Sequence, residues 1–360
     1  MRRQICCDAS NQPSLEQLCG RLPLSAWGKP VRRREFISLL SSSAAVACPL
    51  AVRAQQPAGM RRIGVLMNLA ESDSEGQARI AAFREGLARL GWAEGRELQI
   101  EYRWFAGDPV RARDYAAELA KMKPDVMFAG ATPSVVALQR ETRSVPIVFA
   151  QVADPVGSGL VASLARPGGN ITGFSQFEYA IAAKWLELLK QMAPQVSRAA
   201  VIYDPTNRES KEYVPPIEAV APSLGVQLTM AAVRDNADIE HAIDEFAREP
   251  NCGLIPLPGP LIAVRRDLII SLASRYRLPS VYAYRYYPTS GGLASYGVEI
   301  IDLYRRAASY VDRILKGEKP GDLPVQQATK FALVINLKTA KAIGVKISDN
   351  LLSVADEVIE

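Results

Sequence analysis

Short apolar runs alternate with stretches of helical periodicity along most of the chain, and the alternation predicts a fold class. Arg62-Ile-Gly-Val-Leu-Met67 reads as a first strand, and Ile80, Phe83, Leu87 and Leu90 then recur at helical spacing up to Gly91. Leu98 to Tyr102 is the next strand, Val110 to Met122 a helix, and Asp125 to Ala129 a third strand. Thr132 before Pro133 predicts a helix start, with threonine as N-cap and proline at the first helical position. Ile147 to Ala150 is apolar throughout and reads as a buried parallel strand, followed by a loop carrying Asp154-Pro155. The order is that of an α/β fold, with a parallel sheet and helices on both faces.

Pro167-Gly168-Gly169 breaks this pattern, and Asn170 to Phe174 reads as an extended connector. The same order then returns. Arg198 to Asp204 matches Arg62 to Asn68 at an offset of 136, Leu224-Gly225 matches Leu90-Gly91 at 134, and Leu278 to Tyr284 matches Val145 to Gln151 at 133. The strand Gly253 to Leu257, with its loop Pro258-Gly-Pro260, takes the place of Val126 to Pro133. The shared offset predicts two similarly built, Rossmann-like lobes. The remaining chain holds a helix from Ile301 to Leu315, a turn at Lys319 to Asp322, extended pieces at Val325 to Thr329 and Phe331 to Ile335, and a helix from Leu337 to Ile343. Such a tail crosses back to the first lobe and returns, so three strands form a hinge. The expected lobes are 61–172 with about 297–325, and 173–296 with about 326–360.

Charge changes the picture at the N-terminus. Eight Lys/Arg against three acids leave a surplus of +5 in residues 1–54, and the remainder carries 35 charges of each sign. A neutral body offers no basic field for nucleic acid or anionic lipid. Arg32-Arg-Arg-Glu-Phe-Ile37, a short apolar run broken by Ser41-Ser-Ser43 and Pro49, and Val52-Arg-Ala54 have the parts of a cleaved signal peptide. The paired arginines suggest the twin-arginine route, and hence a periplasmic protein. The run is shorter than the roughly 20 apolar residues that a membrane span needs. Residues 1–30 precede the basic region and read as an N-terminal extension, with Val31 as an alternative start. Cys48 after Ala45-Val-Ala leaves a lipoprotein tether open.

The chemistry available beyond the leader is limited. His241 is the one histidine and Cys252 the one cysteine after residue 54, so histidine/cysteine zinc sites and histidine-dependent triads are excluded. There is no GxGxxG after the first strand and no P-loop. No cofactor is expected, and no enzyme activity, although carboxylate-only hydrolysis stays compatible with the composition. What remains is a set of polar groups at strand ends facing an inter-lobe cleft, where open α/β sheets bind ligands. From the first lobe these are Asn68, Ser72, Thr132, Ser134 and Asp154, and from the second Asn207, Ser210, Tyr284 and Tyr287. Each also has a structural reading. Thr132 and Ser134 cap a helix, Asp154 makes an Asx turn, Asn207 and Ser210 start a helix, and the tyrosines pack on the surface. Helix N-termini and loop amides at such a cleft suit a small polar or anionic solute.

Residues 32 to 360 resemble the ABC-transporter substrate-binding proteins of the type I periplasmic-binding-protein fold, in the group with tryptophan- and phenylalanine-binding members. The resemblance rests on the Arg-Arg-x-Phe leader ending Arg53-Ala-Gln-Gln56, Ala153-Asp-Pro-Val156, Gly159 to Leu164 and Arg166-Pro-Gly-Gly-Asn-Ile-Thr-Gly173. Pro279, Gly291 to Gly297, Tyr304-Arg-Arg-Ala307 and Phe331 to Ala340 extend it. It implies a monomeric receptor that closes on a small-molecule solute and delivers it to a membrane permease, with a sensory module as the alternative. It also implies that Asp154 faces a ligand amino group and Thr132 its carboxylate. The chain departs from those relatives at Pro256-Leu-Pro-Gly-Pro260, where they carry an acidic loop.

Overall fold

The computed structural model describes residues 59–176 and 178–360, and the leader features lie outside them. The first lobe is built from β1 (Arg61–Met67), α1 (Ser74–Arg89), β2 (Leu98–Trp104), α2 (Pro109–Lys121), β3 (Val126–Gly130), α3 (Thr132–Glu141), β4 (Ile147–Val152) and β5 (Ile171–Ser175). Its five strands are parallel in the order β2-β1-β3-β4-β5. β3, β4 and β5 are buried along their whole length, as strands covered on both faces must be. The Asn170–Phe174 stretch that reads as a connector is thus mostly a fifth strand, and the chain leaves this lobe after Ser175.

The second lobe begins with α4 (Ile181–Met192) and β6 (Arg198–Tyr203), then the short helices α5 (Arg208–Glu212) and α6 (Val214–Val220). There follow β7 (Gln227–Ala232), α7 (Asn236–Phe246), β8 (Cys252–Pro256), α8 (Pro260–Val264), α9 (Arg266–Arg275), β9 (Val281–Tyr282), α10 (Tyr286–Thr289) and β10 (Ala294–Val298). Strands β7-β6-β8 are joined to β9 through the Leu254–Ser280 bridge, and β9 pairs with β10. The strand order around β6 therefore repeats that around β1, as the shared offset predicts. Among the described residues, no helix is long and apolar enough to cross a membrane.

Helix α11 (Ile300–Leu315) returns to the first lobe, where its apolar face packs on α1, β4 and β5. The two helices approach closely at Gly86: a Cβ there would lie 2.5 Å from the Arg305 carbonyl oxygen and 2.7 Å from Ala308 Cβ. Trp92 Nε1 donates to Asp312 Oδ1 at 2.8 Å across the same seam. The chain then passes beside β5, with Gln326 N donating to Gly173 O at 3.0 Å and Ser175 N to Gln326 O at 2.8 Å. One bridge, Phe174–Gln326, stands where a strand over Val325–Thr329 is predicted.

The last elements, β11 (Phe331–Asn336), α12 (Leu337–Ile343), α13 (Asp349–Ser353) and β12 (Glu357–Ile359), complete the second lobe. β11 pairs antiparallel to β10, a departure from the all-parallel sheet that the pattern predicts. The reason is connectivity. β10 runs toward the crossing point and leaves for the first lobe, whereas β11 starts at that crossing and runs away from it. The two lobes thus exchange the chain three times, after β5, after β10 and before β11. Trp185 of α4 is fully buried under this region and donates Nε1–H to Tyr296 O at 2.8 Å.

Candidate functional site

The ends of β1, β3 and β4 and the start of α3 meet α5, the α8–α9 region and α10 across the space between the lobes. Two turns there hold non-glycine residues in the left-handed region: Ala131, φ 70°, between β3 and α3, and Gln151, φ 64°, at the end of β4. L-residues pay for such backbone with strain, and positions of this kind concentrate at binding sites. Gln151 is buried and accepts a 2.8 Å bond from Arg79 Nη1, while Arg79 Nε holds Glu75 Oε1 at 3.0 Å. Arg79 is 1% exposed and lies over two rings, Tyr304 of its own lobe at 5.7 Å and Tyr286 of the other at 5.6 Å.

Thr132 makes the central contact between lobes. Its Oγ1 donates to Glu209 Oε1 of α5 at 2.5 Å. It is the first residue of α3 and does not cap it; Ala131 occupies that position, without a side-chain cap. A hydroxyl read as a cap thus points away from its own helix into the cleft, where only the second lobe can answer it. Burial pushes the Glu209 carboxyl above its ordinary value; the Thr132 bond pulls it down and nearby Asp154 pushes it up again. Asp154 Oδ1 accepts the Gly157 N–H at 2.8 Å, the Asx turn foreseen for it, and its charge also reaches Tyr179.

The other anticipated residues are placed as follows. Asn68 ends β1, is 4% exposed, and its Oδ1 has no donor. Ser72 is exposed in the following turn, and its neighbour Asp73 instead caps α1 and reaches the other lobe. Ser134 is buried and donates to Gly130 O at 2.5 Å, back to the end of β3. Asn207 caps α5 through Oδ1, while its Nδ2 and the Ser210 Oγ are buried without partners beside Gly259. Tyr284 and Tyr287 are not surface residues: both are under 5% exposed. Tyr284 donates to Gln176 Oε1 at 2.7 Å beside the first crossing, and Tyr287 stacks on Tyr282 at 4.4 Å and reaches Ile262 O at 3.5 Å. His241 is 82% exposed on α7, and Cys252 is a buried free thiol in β8.

Arg79, Glu209, Tyr286, Asp73 and Arg266 escaped the sequence reading. Arg79 sits mid-helix at a position whose apolar periodicity hides it, and Glu209 lies among Arg208, Lys211 and Glu212 like any solvated charge. Nothing local marks them.

Residues 62–359, nearly all of both lobes, match a single family. The chain belongs to the ABC transporter substrate binding proteins. This substrate-binding chain is 27% identical over 264 residues to a tyrosine-binding protein of Clostridioides difficile (strain R20291), across 73% of its own length and 76% of the relative's. An ABC domain in complex with L-Trp from Streptococcus pneumonia superposes with a TM-score of 0.77 at 26% identity, covering 84% of this chain and all of that one. A ligand-free, open substrate binding protein with adhesive properties from Clostridium difficile covers 83% of this chain and 99% of its own, also at 26% identity, but with a TM-score of 0.62.

Proposed function

We propose that this chain is the exported receptor of an ABC importer, closing on an α-amino acid with an aromatic side chain and handing it to a membrane permease. The observation that carries the reading is the Thr132–Glu209 bond at 2.5 Å, made at the carboxyl ends of strands from two lobes. The N-terminus of α3 has no side-chain cap and no acid in its first turn, which leaves its dipole available to a carboxylate. Tyr179 and Tyr213, edge to face at 4.8 Å, stand near Glu209 and offer an aromatic wall. The tyrosine and L-Trp bound by relatives support the same class.

Under this reading the moving bodies are 61–172 with about 297–325 and 173–296 with about 326–360. The solute stabilises the closed arrangement by its greater affinity for it. Nothing is turned over, and the leader directs the protein to the periplasm. Of the nine residues anticipated, Asn68, Thr132, Asp154, Asn207, Ser210 and Tyr284 are the ones that we assign to the cleft.

The test is a thermal-shift screen against the common amino acids, aromatic acids, purines and small sugars. A ligand bound only by the folded state stabilises it by ~2.7 kcal/mol at a hundredfold excess over its dissociation constant. The expected hits are L-Trp, L-Tyr or L-Phe, recovered chemically intact. A hit that is consumed overturns the receptor reading in favour of an enzyme, and a response confined to sugars or purines overturns the ligand class.

A further inference from the structure

The second lobe lacks side-chain donors and acceptors in the loop after β8, where Pro256-Leu-Pro-Gly-Pro260 runs from strand to α8. The lobe nevertheless brings a carboxylate to the cleft from another element. Glu209 stands on α5, its backbone N–H held by Asn207 Oδ1 at 3.2 Å, and its side chain reaches Thr132 of the first lobe.

The surroundings of Glu209 are short of positive charge. Among the described residues, no Lys, Arg or His nitrogen lies within ion-pairing distance of Glu209 or Asp154. Both carboxylates are close enough to repel. A separate observation points the same way. Asn68 Oδ1 is an acceptor with no donor, on a side chain 4% exposed. Leu66 pairs with Ala129, so two residues further on Asn68 stands beside the Ala131–Thr132 step. Glu209 thus has the Thr132 hydroxyl as its side-chain donor and the Asp154 charge nearby, while Asn68 Oδ1 has no donor at all. A buried acceptor left unpaired is destabilising, the more so when it is charged.

We infer that Glu209 is the specificity residue that reads a ligand ammonium group from the second lobe, doing from α5 what the Pro-rich loop after β8 cannot do. The inference rests on the amino-acid reading above and deepens it. An ammonium carries three N–H donors, which serve the Glu209 carboxylate and the donorless Asn68 Oδ1. It also supplies the missing positive charge, which neutral sugars and carboxylic acids without an amine do not. Thr132 then trades its bond to Glu209 for one to the ligand, and its place at the start of α3 keeps it beside the carboxylate end.

The experiment is isothermal titration of the wild type, Glu209→Gln and Asp154→Asn with L-Trp, L-Tyr and L-Phe, and with the desamino acids indole-3-propionate and 3-phenylpropionate. The wild type is expected to bind the amino acids at least about tenfold more tightly than their desamino counterparts. In Glu209→Gln that ratio collapses toward unity, while the desamino acids bind as well as before and circular dichroism shows the fold intact. A wild type that binds the amino acids and a Glu209→Gln variant that keeps the ratio overturns the role of Glu209 alone. A wild type silent to every amino compound overturns both this role and the ligand class. Calcium or magnesium chloride that raises the melting temperature of the wild type but not of Glu209→Gln makes the occupant a metal ion, and overturns the ammonium.

Discussion

Asp73 and Arg266 meet across the cleft at 2.6 Å, with side chains 12% and 11% exposed. Asp73 divides its oxygens between two tasks. Oδ1 accepts the Glu75 and Gly76 N–H groups at the start of α1, and Oδ2 takes the guanidinium. The Arg266 guanidinium also lies over Tyr286 at 5.6 Å, the ring that Arg79 contacts from the opposite lobe. One tyrosine thus stands between cations from both lobes, in a clasp that ties the first lobe to the second.

Asp73→Asn isolates the clasp, because asparagine caps a helix as well as aspartate. The variant is expected to leave the melting temperature of the free protein nearly unchanged and to weaken ligand binding about tenfold through a faster off-rate. Stopped-flow release and small-angle scattering of the loaded protein check this. Unchanged release would reduce the pair to a packing contact.

Gly86→Ala should destabilise the first lobe. The added Cβ would sit 2.5 Å from the Arg305 carbonyl oxygen, and backbone on both sides has to move. Overpacking of this kind costs roughly 1–3 kcal/mol. Urea unfolding is the measurement, with a lower midpoint at unchanged slope as the expected result.

The stability of the ligand-free protein should carry a signature of Glu209. Burial, opposed by Thr132 and reinforced by Asp154, raises its folded pKa above the ordinary 4.5, the reverse of the usual carboxylate case. Tyr179, Tyr213 and Tyr284 are the other titratable groups that face it. The folded state then binds the proton more tightly than the unfolded one. Its contribution is fullest below the unfolded pKa and is lost as pH rises through the folded pKa. Glu85, Asp108 and Glu318, whose carboxyls are lowered, act in the opposite direction, so the readout is the difference between wild type and Glu209→Gln. The variant should be the more stable of the two at neutral pH, with the gap closing as pH falls. A constant gap would place the Glu209 titration elsewhere.

Cys252 should report on unfolding. Its thiol is buried 3.3 Å from Phe246 O, and burial raises its pKa, so little thiolate is available for reaction. A thiol reagent is expected to modify it at the rate at which the second lobe opens, with ligand slowing the reaction. Immediate modification of the native protein would show that β8 is accessible.

The α/β class and the doubled architecture were legible because they rest on local periodicity. Apolar runs such as Ile147 to Ala150, capped helices and the shared offset near 134 are read off directly, and burial of β3 and β4 follows from their composition. The Asx turn at Asp154 and the cap at Asn207 were equally local. Other features depend on partners distant in the chain. Thr132 looks like a cap and is instead the cleft hydroxyl, because its partner Glu209 lies 77 residues away. Tyr284 and Tyr287 look like surface residues and are buried, one against Gln176 beside the first crossing and the other in a stack with Tyr282 and Tyr286.

By itself, then, the sequence determined most of the first-lobe strands and helices and the number of lobes, since these follow from the spacing of apolar side chains and the chemistry of turns. Only the tertiary structure decided which charges face each other across the cleft. Arg79, Glu209, Asp73 and Arg266 are ordinary polar letters on amphipathic or exposed segments, and they acquire meaning when the three crossings bring the two lobes together. The antiparallel β11 has the same origin, since the direction of a strand is set by the point at which the chain re-enters its sheet.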